Sequence, residues 1–197
     1  DDLNGSDFTT FFKHYYTELN GDNDVNNLFK QIKSRLHPMD VIRTIVSYIG
    51  ESEKKSDLEL TTHISAAVAY VIASYNENDT SELDDEYTVA SSMLSNDASN
   101  DQLQALDDIL ILYAEHGFNA STFATRVTGS TRSDLTSSIV SGIGTLKGEL
   151  HGGANERAVE LINSFQDVDE ATSGVMNMLK EKKKIMGFGH GVYKIQD

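Results

Sequence analysis

Three of the six histidines in this sequence stand beside glycines at predicted turns, where an imidazole can bind or polarise a small anion. His116 lies in Glu-His-Gly-Phe-Asn, His151 in Leu-His-Gly-Gly-Ala and His190 in Gly-Phe-Gly-His-Gly. Glycine lets a ligand approach the backbone, and an imidazole N–H there can donate a hydrogen bond to a developing oxyanion. The set therefore predicts a small polyanionic ligand and enol chemistry next to a carbonyl group.

The remaining histidines lack this pattern. His14 and His63 occur singly within helical patterns, and we predict that each lies at the surface or the core edge without a chemical role. His37 precedes Pro38, which restricts it to an extended backbone, so we expect it to cap or orient the helix that begins there. No two histidines have the spacing of a helical zinc site, and no metal site is expected.

Composition excludes several classes of site. The chain has no cysteine, which excludes disulfides, iron–sulfur clusters and cysteine nucleophiles. Its net charge of −15 argues against binding to nucleic acid or to an anionic membrane. A basic partner and a halophilic setting both stay open as explanations of this charge. Without a long apolar run or a signal peptide, we expect a soluble, cytoplasmic protein.

The elements that must position these histidines are helices. From Pro38 to a stop at Gly50, apolar residues recur at three- and four-residue steps, which is the pattern of one buried helix face. No segment alternates like a strand, so the predicted fold class is all-α. Lysines 180 and 182–184 suit the negative end of the last helix dipole. Further helices are predicted over 58–75, 103–113, 119–129, 134–147, 155–165 and 168–184, with a short one inside the acidic segment 76–101.

Four strings resemble the citrate synthase family and occur in the family's order. They are HPMDVIRT (37–44), AEHGFNASTFATRV (114–127), GTLKGELHGGANERAVE (144–160) and IMGFGHGVYK (185–194). The resemblance implies an incomplete large helical domain over residues 1–150. It also implies the start of a small helical domain, with a CoA-binding loop, over residues 151–197.

The implied activity is acyl transfer: acetyl-CoA condenses with oxaloacetate through an enol, and hydrolysis gives citrate and CoA. By resemblance, His151 hydrogen-bonds the carbonyl oxygen of acetyl-CoA, and His190 polarises the ketone of oxaloacetate. His116 and Asn119 bind oxaloacetate. Acetyl-CoA is a co-substrate, no permanently bound cofactor is implied, and the enzyme is a homodimer, with a hexamer left open. The implied adenine-recognition residues are Ile185, Met186, Gly187, Phe188 and Gly189.

The chain departs from the family's pattern at its end. In the family, an Asp-Pro-Arg sequence, a catalytic aspartate and two further substrate arginines follow the last histidine, whereas this chain ends at Asp197. We therefore expect a truncated part of a parent enzyme, inactive by itself because it lacks the base. Two alternatives remain: a 2-methylcitrate synthase that uses propionyl-CoA, and a non-catalytic helical module for CoA binding or assembly.

Overall fold

The computed structural model describes residues 5–50, 55–76, 88–95, 97–114 and 117–189, with side chains from residue 8 onward. These residues form ten helices and no strand, so the all-α prediction is confirmed. No helix in the described ranges is long and apolar enough to cross a bilayer. The helices are α1 Gly5–Gly21, α2 Asn23–Ile32, α3 Pro38–Ile49, α4 Asp57–Tyr75, α5 Val89–Met93, α6 Asn100–Tyr113, α7 Ala120–Ser130, α8 Leu135–Leu146, α9 Gly153–Asn163 and α10 Val168–Lys180.

The chain divides into two compact units, Asp1–Gly144 and Thr145–Asp197. The division falls near the end of α8, six residues before the boundary predicted at 150/151. The assignment of residues 1–150 and 151–197 to a large and a small domain stays a prediction.

The core of the first unit is built around α4, which packs against α1, α3 and α5. Alanines and Val71 on α4 are almost fully buried, and their small side chains let neighbouring helices approach closely. The larger buried side chains of this core come from α1, where Tyr16 and Leu19 are buried, and from the predicted apolar face of α3. Buried side chains of that α3 face are Val41, Ile45, Val46 and Ile49.

Two isolated histidines have different surroundings. His14 is exposed and lies 3.8 Å from the carboxylate of Glu18 on the next turn of α1. His63 is buried, not at the core edge, because its imidazole stacks on the ring of Tyr15 with centroids 4.5 Å apart. The ring contact gives His63 a packing role in the core.

Side-chain caps fix where two helices of the first unit begin. His37 precedes α3 and its Nδ1 accepts a hydrogen bond from the N–H of Met39 at 3.2 Å, which confirms the predicted capping role. At the start of α4, Ser56 and Glu59 form a reciprocal capping box. The hydrogen bonds from Ser56 hold the pKa of Glu59 below its usual value.

The last helix ends earlier than predicted. The lysine-rich stretch was expected to be helical to residue 184, but α10 ends at Lys180. Lys182 has a φ of 55°, and its N–H and that of Lys183 donate to the carbonyls of Leu179 and Met178. This double hydrogen bond is a Schellman motif, which terminates a helix.

Candidate functional site

His151 lies half-buried in the tight turn that leads from α8 into α9. The backbone N–H of His151 donates to the carbonyl of Gly148 at 2.9 Å. The backbone N–H of Gly152 donates to the carbonyl of Leu146 at 2.8 Å. The turn therefore folds back on the end of α8. These bonds fix the backbone on both sides of the predicted catalytic imidazole.

Gly152 is required by the close approach of the chain to itself. A Cβ at this position would lie 2.4 Å from the backbone oxygen of Leu146, which no side-chain rotation could relieve. The sequence suggested that the glycine pair admits a ligand to the backbone. In the structure the space beside Gly152 is filled by the preceding turn.

Backbone N–H groups at the start of α9 are also occupied. Gly153 donates to Gly148, Ala154 donates to His151, and Asn155 donates to Gly152, at 3.1 Å in each case. Because these amides already have acceptors, they are poor candidates for an oxyanion hole. The imidazole of His151 is the group in this turn whose N–H chemistry suits a developing oxyanion.

An ion pair joins the two sides of the His151 turn. Arg157 Nη2 on α9 lies 2.6 Å from Glu149 Oε1, two residues before the histidine. This contact was not predicted, since a separation of eight residues is neither the i,i+3 or i,i+4 spacing of contacting helical residues nor a cross-strand pair. Opposite charges on the two sides of a glycine turn are the signal that could have indicated it.

The predicted adenine-recognition loop, Ile185–Gly189, is a glycine-determined turn in the same unit as His151. Gly187 and Gly189 have φ values of 87° and 79°, in the left-handed region that favours glycine. The ring of Phe188 between them is 80% exposed. A Cβ on Gly187 would contact Ala158 Cβ at 3.4 Å, so the loop lies against α9, the helix that follows His151.

Asn119, predicted to bind oxaloacetate, belongs to the first unit and caps α7. Its Oδ1 accepts from the N–H of Thr122 at 2.8 Å and from the hydroxyl of Ser121 at 2.7 Å. Its Nδ2 makes no hydrogen bond within the part of the chain that the structure describes. The amide hydrogens are therefore the atoms through which Asn119 could contact an oxygen of a substrate.

Aromatic and cationic side chains surround this cap in the first unit. Phe118, which is 68% exposed, packs against Phe123 with centroids 6.1 Å apart. The guanidinium carbon of Arg126 lies 4.8 Å from the centre of the Phe118 ring. This cation–π contact was not predicted from the sequence, and it stabilises the segment before Asn119.

Two predicted site residues, His116 and His190, lie outside the described residues. The structure describes Asn119 within the first unit, and His151 and the loop 185–189 within the second. Among described residues no group of three or more histidines and carboxylates could hold a metal ion. The roles predicted for all these residues remain predictions.

Comparison with known proteins identifies relatives named citrate synthase and relatives named 2-methylcitrate synthase. A family profile described as citrate synthase, C-terminal domain, matches residues 4–197. A 2-methylcitrate synthase from Shewanella oneidensis is 38% identical over 200 aligned residues, which cover 93% of this chain and 53% of that protein. A citrate synthase from Deinococcus radiodurans is 36% identical, with 86% of this chain and 49% of the relative covered.

A solved structure has the same fold. The Thermoplasma acidophilum citrate synthase, in a ternary complex with carboxymethyl coenzyme A and oxaloacetate, matches with a TM-score of 0.72 and 27% identity. The match covers 94% of this chain and 53% of that one, so the chain spans about half the length of its relatives. Because the family profile matches nearly all of the sequence, the chain belongs to the citrate synthase family.

Proposed function

We propose that this chain forms part of a cytoplasmic enzyme that condenses acetyl-CoA with oxaloacetate to give citrate and CoA. The observation that carries the proposal is the position of His151. Its imidazole lies in a turn whose neighbouring backbone amides are already hydrogen-bonded. A fixed imidazole donor is what an enol intermediate requires at its oxygen.

In this proposal His151 donates a hydrogen bond to the carbonyl oxygen of the thioester while a carboxylate base removes a methyl proton. The enol carbon then bonds to the ketone carbon of oxaloacetate, and the ketone oxygen takes a proton from His190. Water cleaves the resulting thioester and releases citrate and free CoA. By resemblance to the family, the base is an aspartate outside residues 1–197.

The substrate contacts in this proposal are assigned residue by residue from the resemblance to the family. His116 and the Nδ2 of Asn119 bind the oxygens of oxaloacetate. The loop from Ile185 to Gly189 receives the adenine of acetyl-CoA, with the exposed Phe188 ring and the glycine backbone as its contact surface. CoA acts here as a co-substrate and is released in each cycle.

Propionyl-CoA is the second candidate acyl donor, because the relative at 38% identity is named 2-methylcitrate synthase. The test measures release of the CoA thiol on adding oxaloacetate, with acetyl-CoA and propionyl-CoA in parallel assays. The full-length protein that contains this sequence should release CoA faster from acetyl-CoA. A higher kcat/KM with propionyl-CoA would assign 2-methylcitrate synthase activity instead. If neither acyl-CoA releases CoA, both proposed activities are refuted.

Residues 1–197 alone serve as the matched control. Because the base is proposed to lie outside them, this polypeptide should release no CoA above the uncatalysed rate. CoA release by residues 1–197 would place the base within this chain and would contradict the proposed division of the site.

A homodimer is the proposed assembly, with a hexamer as the alternative. Its support is the apolar surface of α6, where no residue is buried and Ile111 and Leu112 are 71% and 73% exposed. Large exposed apolar patches mark interaction surfaces. Sedimentation of the full-length protein should give a dimer, and Leu112→Asp should shift it toward monomer. A monomeric wild type would contradict the assignment.

A further inference from the structure

A buried hydroxyl group near the start of α8 has no part in the proposed condensation. Thr136 is 6% exposed, and its Oγ1 makes no hydrogen bond within the part of the chain that the structure describes. A buried hydroxyl without a partner costs free energy, whereas valine has nearly the same shape and no polar atom. A threonine at this position therefore points to a ligand that supplies the missing hydrogen bond.

Thr136 lines a cavity of about 400 Å³ between the end of α3 and the start of α8. This volume lies within the range of small-molecule sites. A Cβ at Gly50 would overlap the side chain of Thr136, so the glycine gives the threonine its place in the cavity wall. The lining residues are Ser47, Gly50, Asp134, Thr136, Ser137 and Val140.

The electrostatics of this cavity favour a cation. The carboxylate of Asp134 accepts hydrogen bonds from the N–H and the hydroxyl of Ser137, which lower its pKa and keep it ionised at neutral pH. Each carboxylate oxygen retains a second lone pair for a ligand. The α3 helix ends beside the cavity and directs the negative end of its dipole there. All polar side-chain atoms of the lining are oxygens, which can accept hydrogen bonds.

A second cavity, of about 430 Å³, adjoins the first, because Ser47 lines both. Glu18 and Asp22 contribute carboxylates to it, and Tyr48 contributes an aromatic ring. Glu18 lies 3.8 Å from His14, and Asp22 uses its Oδ1 to cap α2. No lysine or arginine among the described residues lines either cavity. Two adjoining cavities therefore each carry negative charge.

We propose that the two cavities bind a linear aliphatic polyamine. One ammonium group lies beside Asp134 and Thr136, and another lies beside Glu18 and Asp22. Because an ammonium group carries only donors, the Oγ1 of Thr136 and the carboxylate oxygens can all accept hydrogen bonds from it. The methylene chain between the ammonium groups contacts apolar lining such as Ile49.

Other classes of ligand fit these cavities less well. A bare metal ion is far smaller than 400 Å³, and no group of three or more histidines and carboxylates in the described ranges could hold one. An anion would be repelled by Asp134 and by the net charge of −15. A polyamine complements that charge, and cavities of this size are typical of small-molecule sites.

Calorimetric titration of the full-length protein with spermidine tests the proposal. Butylamine, which has one ammonium group, uncharged 1,4-butanediol and CaCl2 are the comparison ligands. The site variants are Thr136→Val and Asp134→Asn. Asp167→Asn is the charge-matched control, because it alters the capping aspartate of α10. Thr172→Val is the control for the lost hydroxyl, since the Thr172 hydroxyl is exposed and bonds the carbonyl of Val168.

We expect wild type to bind spermidine more tightly than butylamine, and butanediol not at all. Thr136→Val and Asp134→Asn should each raise the Kd for spermidine roughly tenfold at low salt, because each removes a hydrogen bond to a charged group. Both control variants should retain the wild-type Kd. Added salt should raise the Kd of every protein, and the variants should keep their order.

Urea unfolding separates the binding role of Thr136 from a structural role. Without ligand, Thr136→Val should unfold at the same urea concentration as wild type or a higher one, because it removes a buried hydroxyl that has no partner. Spermidine should raise the midpoint of wild type more than that of Thr136→Val, since a ligand stabilises the folded state it binds. A lower midpoint for ligand-free Thr136→Val would assign the hydroxyl to the fold and overturn the proposal.

Three results of the titrations would also overturn it. Equal Kd values in wild type and both site variants would show general attraction of spermidine to an acidic surface. Binding of Ca²⁺ without binding of spermidine would assign the cavity to a metal ion, and no binding of either would leave it without a cation ligand. Because these experiments measure binding, a protein without condensation activity refutes the proposed function and leaves the polyamine site standing.

Discussion

The guanidinium of Arg157 lies 2.6 Å from the carboxylate of Glu149, and this contact ties α9 to the segment that enters the His151 turn. Both side chains are more than half exposed, so the pair contributes little to global stability. Its position matters more than its strength. It restrains the chain two residues before an imidazole that must be held precisely if it is to stabilise an enol.

Reversing one charge of this pair should reduce activity more than stability. We expect Arg157→Glu to lower the free energy of unfolding by less than about 1 kcal/mol, since the lost pair is exposed. The kcat should fall severalfold, because the turn that carries His151 is less restrained. The exchanged pair, Glu149→Arg/Arg157→Glu, should recover most of the lost kcat. If the exchanged pair is no better than Arg157→Glu alone, the ion pair does not position the turn.

Gly142 on α8 tests the packing of α8 against α7. A Cβ at this buried position would lie 2.3 Å from Thr125 Oγ1, which is held by a hydrogen bond to the carbonyl of Ser121. Gly142→Ala should therefore destabilise the protein by about 1–3 kcal/mol, as overpacking does. Urea unfolding at constant m-value measures the change.

Removing the obstructing hydroxyl should reverse this effect. In Gly142→Ala/Thr125→Ala the next contacts of the new methyl are at ordinary van der Waals distance, and alanine is the better helix former by about 1 kcal/mol. The double variant should be more stable than Gly142→Ala. Gly144→Ala is the matched control, since its Cβ would meet only Arg43 at 3.6 Å or beyond. Additive effects of the two substitutions would contradict the steric account.

Asp134 gives the stability of α8 a dependence on pH. Its carboxylate accepts hydrogen bonds from the N–H and the hydroxyl of Ser137, both at 2.7 Å, and these bonds lower its pKa below the usual 3.8. A carboxyl whose pKa is lower in the folded state stabilises the fold above its unfolded pKa and loses that effect as pH falls through the folded pKa.

The advantage of wild type over Asp134→Asn should therefore be present at pH 7 and should shrink below about pH 4. Asp134→Ala, which removes the cap at every pH, should cost about 1 kcal/mol at pH 7. Urea unfolding of the three proteins across this range is the measurement. A wild-type advantage that grows as the pH falls would show that the carboxylate is not stabilised by Ser137.

Helices with apolar periodicity and side-chain caps could be predicted from the sequence. Pro38 marked the first residue of α3, and the position of His37 before it indicated the cap that the structure contains. The predicted helix over 58–75 differs from α4 by one residue. These features follow from local chemistry, which a sequence displays directly.

Features that depend on tertiary contact could not be predicted. Before Pro38 the sequence indicated only a helical pattern around His14 and no helix bounds, whereas α1 and α2 occupy that region. The aromatic side chains of α1 have partners on α4, far along the chain. The predicted helix 168–184 was too long because lysine at 182 gives no warning of a left-handed turn. The pairing of Glu149 with Arg157 likewise depends on the fold of a glycine turn.

The role proposed for His151, stabilisation of the enol of an acyl-CoA, is tested by kcat for CoA release by His151→Ala in the full-length protein. Loss of one oxyanion donor should lower kcat by about 10²–10³-fold, with the unfolding midpoint close to that of wild type. His14→Ala, which changes an exposed imidazole in the first unit, should retain wild-type kcat. A folded His151→Ala protein with undiminished kcat would contradict the account.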